Sequence, residues 1–180
     1  DCEHPVMPKR TPIMPTRPDA PLRPPIYFIR HGETDWNRVG RLQGSRDIPL
    51  NDLGRKQAET VGGLLRDMIG TEADRLGWHV SPMDRARETL RLARRAIGLP
   101  DSGYRIEPLL TELSFGTWEG LTWREVRQSD PARANGRDAD KWGYVPPGGE
   151  SYAMLLDRVM PFIDSLAAPS IVVAHGGVAR

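Results

Sequence analysis

From Ile26 onward, short apolar runs rich in β-formers alternate with helical patterns, and this alternation restricts the fold more than any other feature of the chain. Strands that take turns with helices imply an α/β protein, a three-layer sandwich with a mostly parallel central sheet and helices on both faces. Ile26-Tyr27-Phe28-Ile29, preceded by prolines and followed by Gly32, suits a buried strand. Trp78-His79-Val80 and Tyr104-Arg105-Ile106 read as two more strands, and Ser170 to Ala174 is the most β-like run in the sequence. Asn51 to Met68 reads as a helix capped by Asn51 or Asp52, with Leu53, Ala58, Val61, Leu64, Leu65 and Met68 mostly on one face. Asp84 to Ile97 is a strongly basic helix closed by Gly98 and Pro100, Thr122 to Ser129 a short one, and Ser151 to Leu166 a longer one interrupted or kinked at Pro161.

The first 25 residues behave differently. Prolines recur there at about every third position, from Pro5 to Pro25, which removes backbone donors and favours extended, solvated chain. Residues 1–25 are therefore expected to be a flexible tail, and the folded unit is expected over 26–180. At 180 residues the length fits one domain, and a net charge of +1 gives no bulk attraction to nucleic acid or an anionic membrane. No apolar run is long enough to span a bilayer. Cys2 is the single cysteine, so neither an intramolecular disulfide framework nor a multi-cysteine zinc site can form. No basic-then-apolar leader follows Asp1, and the expectation is a cytoplasmic protein.

In open α/β sheets ligands bind beyond the carboxyl ends of the strands. The polar residues at those ends are Arg30, His31, Gly32, Glu33 and Thr34 after the first strand, then Ser81, Pro82 and Arg85 after the second. Glu112 follows the third, and His175, Gly176 and Gly177 follow the last. Each alone is weak: a lone histidine is more often packed than catalytic, Arg85 sits in an arginine-rich helix, and Glu112 could cap a turn. Their convergence on one sheet edge makes an anion site with an acid beside it. His4, in the tail, and His79, within a strand, are set aside.

Arg30-His31-Gly32-Glu33-Thr34 with Trp36-Asn37 resembles the signature of the histidine phosphatase superfamily, in its phosphoglycerate-mutase-like branch. The resemblance continues in order through Gln43-Gly44, Asp47-Ile48-Pro49-Leu50, Ser81-Pro82-Met83-Asp84-Arg85-Ala86, Glu112-Leu113-Ser114-Phe115-Gly116, Trp118-Glu119-Gly120, Gly148-Gly149-Glu150-Ser151 and Ala174-His175-Gly176-Gly177. It implies that His31 is the nucleophile that takes the phosphoryl group on a ring nitrogen. By the same resemblance Arg30, Arg85 and His175 form the phosphate pocket, Thr34, Asn37, Gln43, Gly44 and Gly176 add contacts, and Glu112 is the proton donor.

Those residue types make chemical sense. Imidazole attacks phosphorus only while neutral, so its other nitrogen should donate to a fixed acceptor near Gly32. Phosphoryl oxygens are better held by guanidinium forks than by lysine point charges. An alkoxide leaves poorly, so Glu112 must be protonated when it departs, which calls for a raised pKa. Neither a carboxylate-rich magnesium cage nor a zinc pattern is visible; no metal and no cofactor are expected. The partner is then a small-molecule phosphate monoester, with a homodimer left open.

Glu112 runs directly into Leu113-Ser114-Phe115-Gly116-Thr117-Trp118-Glu119-Gly120, a form that resembles phosphatase members more than mutases. Only about 37 residues separate Glu112 from Gly149, little chain for a lid that would shield a phosphoenzyme from water. Mutase-type phosphoryl transfer and a non-catalytic phosphate-binding relative remain the alternatives. Residues 122–147 are expected to cover the site, with Trp123, Trp142 and Tyr144 packing on the sheet or meeting an organic moiety. Relatives continue through a further helix where this chain reaches Arg180, so truncation at the C-terminal end is also expected.

Overall fold

The computed structural model describes residues 23–180. The proline-rich segment expected over 1–25 lies, up to residue 22, outside the described residues. Four strands, β1 (Ile26–Arg30), β2 (Gly77–Val80), β3 (Arg105–Ile106) and β4 (Ser170–Ala174), form one sheet in the order β1-β4-β2-β3. Every pairing is parallel, so the sheet is more uniform than the mostly parallel one expected. β4 lies between β1 and β2, and all five of its residues are buried. That placement explains its unbroken apolar run, since an inner strand has no solvent face on which to alternate.

Successive β4 side chains face opposite layers. Ile171 and Val173 pack with Ile29, Trp78, Val80, Leu65, Ala86 and Leu90, under α2 (Asp52–Ile69) and α3 (Asp84–Ala96). Val172 and Ala174 pack with Leu110 and Phe162 on the other side, under α6 (Tyr152–Ser165). These are the three layers. α1 (Asp35–Arg38), α4 (Trp123–Ser129) and α5 (Pro131–Ala139) lie outside them; the last two join Leu42 and Trp118 in a separate small core through Val126 and Ala134.

α2 departs from its expected face. Asn51 caps it, accepting from the Gly54 amide at 2.8 Å, but the buried positions are Gly54, Ala58, Gly62 and Leu65. Leu53, Leu64 and Met68 are exposed. Small residues let α2 approach α3 closely, and that approach, more than side-chain hydrophobicity, decides which face turns inward. α6 is not interrupted: it continues through Pro161 as one helix. Pro161 and Asp157 are both exposed, so the Asp157 carbonyl deprived of its helical donor can turn to water. The short α1 and α5 went unanticipated; each is set by its cap, Thr34 with Asn37 for the first and Asp130 before Pro131 for the second.

The two adjacent glycines of α2 give a clean test. A Cβ on Gly62 would strike the Ala93 backbone and Ala96 Cβ, whereas one on Gly63 would meet nothing. Gly63→Ala should raise stability by about 0.5–1 kcal/mol through helix propensity. Gly62→Ala should lower it by about 1–3 kcal/mol through overpacking, read as opposite shifts in urea midpoint.

Candidate active site

β1 and β4 pair in register with Arg30 opposite Ala174, so His31 and His175 leave neighbouring strands side by side. Their ring centroids are 5.1 Å apart, close to the strand spacing, and the His31 amide donates to the Ala174 carbonyl at 2.9 Å. His31 Nδ1 lies 2.7 Å from the Gly32 carbonyl. A carbonyl only accepts, so Nδ1 carries the proton and Nε2 keeps its lone pair. Gly32 is fixed in turn: its amide donates to Thr89 Oγ1 at 3.0 Å, and it lies so close to the Gly54 backbone that a Cβ would collide.

His175 is fully buried, with Nε2 2.7 Å from Ser81 Oγ, at the end of β2. Arg85, in the first turn of α3, is also fully buried. Its Nη1 and Nη2 donate to the carbonyls of Arg46 (2.7 Å) and Gly44 (3.0 Å), and Asp47 is 3.6 Å away. Three buried polar atoms without a protein partner among the described residues belong to this cluster: Arg85 Nε, His175 Nδ1 and the Gln43 amide oxygen. Buried polar groups are normally paired, so such a concentration points to a polar ligand.

Burial, followed by the charges of Arg85 and Arg30, pushes the His31 pKa down to about 4 against the raising effect of the Gly32 hydrogen bond. His175 is held neutral more strongly, at about 2, by burial and then Arg85, His31 and Arg30. Glu112 moves the other way. Burial raises its pKa despite the Leu113 and Gly177 amides at 2.9 and 3.0 Å and the nearby arginines. Neutral imidazoles and a carboxyl biased toward its protonated form thus share a cationic setting.

A cavity of about 210 Å³ opens here, and its wall includes Arg30, His31, Asn37, Gln43, Gly44, Arg85, Glu112 and Gly176. His175 sits against His31. Thr34 is placed elsewhere than expected: it is fully buried and off the cavity wall, and its hydroxyl and amide engage Asn37 as the cap of α1. Thr34 therefore orients Asn37 and does not reach the cavity itself.

Arg41, Arg137, Tyr152 and Arg180 also line the cavity, and strand-end reasoning had no means of finding them; Trp123, expected to pack or to meet an organic moiety, lines it too. None directly follows a strand. Trp123 both packs, edge-on to Trp118 and Phe115, and faces the cavity. Tyr144 stacks on Trp118, while Trp142 stacks on Tyr152 and stays half exposed.

Glu119 joins the two loops that frame the cavity. Its side chain is only 6% exposed and accepts from the Ser45 amide and hydroxyl on one loop and from Ser114 Oγ and the Phe115 amide on the other. The first loop carries the carbonyls that hold Arg85, and the second follows Glu112.

The family model for the histidine phosphatase superfamily (branch 1) matches residues 26–180. The chain belongs to this superfamily. It is 33% identical over 162 residues to a metal-independent phosphoserine phosphatase of Arabidopsis thaliana, a match covering 86% of this chain and 65% of that protein. It is 32% identical to an acid phosphatase of Mycobacterium tuberculosis, covering 86% of the chain and 71% of the relative. Among solved structures, that of a putative alpha-ribazole-5'-P phosphatase from Escherichia coli superposes with a TM-score of 0.74 at 31% identity, covering 86% of this chain and 74% of that one. Among the described residues of this superfamily member, no group of three or more His, Cys, Asp or Glu is disposed to hold a metal, and no helix is long and apolar enough to cross a membrane.

The depressed His31 pKa has a consequence for stability. Between about pH 6.5 and 4 the unfolded chain binds a proton there that the folded protein refuses, so stability is present above 6.5 and is lost as pH falls toward 4. His31 accounts for about 3 kcal/mol of this loss. Glu112, with its raised pKa, acts in the opposite sense. Denaturant midpoints of His31→Gln should therefore fall less steeply with acidification than those of the parent; equal slopes would contradict the assignment. Glu119→Ala, which removes the charged acceptor shared by Ser45, Ser114 and Phe115, should cost about 1–3 kcal/mol and raise KM for a phosphate ester.

Proposed function

We propose that the protein hydrolyses small phosphate monoesters through a phosphohistidine on His31, with Glu112 as proton donor and then acceptor. The observation that carries this reading is the 2.7 Å contact between His31 Nδ1 and the Gly32 carbonyl: the carbonyl accepts a hydrogen bond from Nδ1–H, and the neutral ring keeps its Nε2 lone pair free beside Arg30, Arg85 and His175.

In the first step Nε2 forms a bond to phosphorus as the ester P–O bond breaks, and Glu112 gives its proton to the departing oxygen. Positive charge gained by the ring is spread toward Nδ1–H and balanced by the Gly32 carbonyl. Arg30, Arg85 Nε and His175 supply donors to the three non-bridging oxygens, where charge accumulates in the transition state. For His175 to donate from Nδ1, Ser81 must donate to Nε2, which its 2.7 Å separation allows. In the second step the Glu112 carboxylate takes a proton from water, the water oxygen bonds to phosphorus, the P–N bond breaks, and His31 returns to its neutral state.

Guanidinium and imidazole donors provide the charge stabilisation, so turnover is proposed to need no metal. The small α4–α5 cap favours hydrolysis over mutase-type transfer, because access of water is what separates the two.

His31→Ala should abolish hydrolysis of p-nitrophenyl phosphate. Glu112→Gln should lower kcat/KM, which reports phosphoryl transfer to His31 and not the later hydrolysis, by about 10²–10⁴-fold on an alkyl phosphate and by much less on p-nitrophenyl phosphate, since nitrophenolate departs without a proton. Equal losses on the two esters would remove Glu112 from the donor role. Activity should persist in EDTA, and recovery on added Mg²⁺ after chelation would overturn the metal-free reading.

A further inference from the structure

The cavity holds more cationic charge than one phosphoryl group requires. Arg30 and Arg85 flank His31, while Arg41, Arg137 and Arg180 line other parts of the wall. Two of these three are occupied: Arg41 pairs with Glu125 at 3.1 Å, and Arg180 donates to Tyr152 Oη at 3.0 Å. Arg137, on α5, is different. Its guanidinium lies 4.1 Å from the Trp123 ring centroid with the side chain only 14% exposed. Among the described residues it donates no hydrogen bond, and its one carboxylate neighbour is Asp138, distant at 3.6 Å.

A guanidinium stacked on an indole uses its face and keeps its in-plane N–H fork available. Stacking also fixes the fork before any ligand arrives, which lowers the ordering cost of binding. A cavity of about 210 Å³ is below the ≈ 300–1,000 Å³ of sites for drug-sized ligands, so the group meeting Arg137 belongs to a compact molecule.

We infer that Arg137, held by Trp123, forms a second anion subsite, and that the substrate is a phosphate monoester of a few carbons carrying a further acidic group, a carboxylate or a second phosphate. This rests on the phosphatase reading for its chemistry, but the selectivity comes from α4 and α5 and not from the strand ends. The phosphoryl group goes to Arg30, Arg85 and the histidines; the distal acid accepts the Arg137 fork.

Three esters of similar size separate the cases: glycerol 3-phosphate, 3-phosphoglycerate with its carboxylate, and propane-1,3-diol bisphosphate with a second phosphate. The full chain should prefer at least one acid-bearing ester over glycerol 3-phosphate in kcat/KM, and the preferred one identifies the distal group. In Arg137→Ala that preference should fall by roughly 10–100-fold, as expected for a charged hydrogen bond. Arg137→Lys should restore part of it by charge alone, and Arg133→Ala, on the same helix but paired with Asp130 away from the cavity, should retain it. No preference in the parent, or one that survives Arg137→Ala, overturns the subsite. Loss of all hydrolysis in the parent would instead refute the phosphatase reading. The subsite is then judged from the ratio of dissociation constants for the same esters, measured calorimetrically with and without Arg137→Ala in a His31→Ala background.

Discussion

The parallel, in-register pairing of β1 with β4 is the constraint on which the site depends. Registering Arg30 with Ala174 makes the following residues neighbours, and both are histidine. A slip of one residue would exchange Ile171 and Val173 with the smaller Val172 and Ala174 between two differently shaped layers and would move the two rings apart. The buried run of β4 thus does two things at once. Ile171 and Val173 lock one face, Val172 and Ala174 the other, and the register they enforce sets a ring separation of 5.1 Å.

Placing buried arginine beside buried histidine has an electrostatic logic. A cationic cup suited to phosphate would be undermined if its histidines were also charged, through mutual repulsion and desolvation. Burial and Arg85 keep both rings neutral, so that one offers a lone pair and the other a donor. Arg85 tolerates full burial because its Nη groups are held by the Gly44 and Arg46 carbonyls. A lysine there could not span two backbone carbonyls and still direct a donor at the cavity.

The sheet, its parallel sense and the strand-end residues were legible in the sequence because they follow from local pattern. A β-rich run ends, polar residues follow, and in an α/β fold they meet at one edge. His31, Arg85, Glu112 and His175 all come together by this rule. The face of α2 was not legible, because the choice between Gly54-Ala58-Gly62-Leu65 and the larger Leu53-Leu64-Met68 set depends on how near α3 comes. Thr34 was misplaced for a related reason: a threonine beside a catalytic motif looks like a ligand contact until its cap on α1 accounts for its hydrogen bonds. Arg41 and Arg137 were invisible to strand-end logic, since neither follows a strand and both reach the cavity through the Leu42, Trp118 and Val126 core, whereas Trp123 was legible only as a residue of the covering segment.

Two parts of the molecule therefore answer to different physical demands. The strand ends need fixed tautomers and fixed donors, and they obtain them from the sheet, where a displacement disturbs the whole core. The α4–α5 region packs on a small core of its own, tied to the segment before the Gly44–Arg46 loop through the Arg41 contacts with Gly120 and Glu125. Side chains there can change without disturbing β4. The proposed chemistry sits at the rigid sheet edge and the proposed discrimination in the cap, and Glu119 keeps the loop behind Arg85 aligned with the loop behind Glu112. The buried arginine and the carboxyl of the site are consequently positioned by Glu119, a carboxylate that does not itself line the cavity.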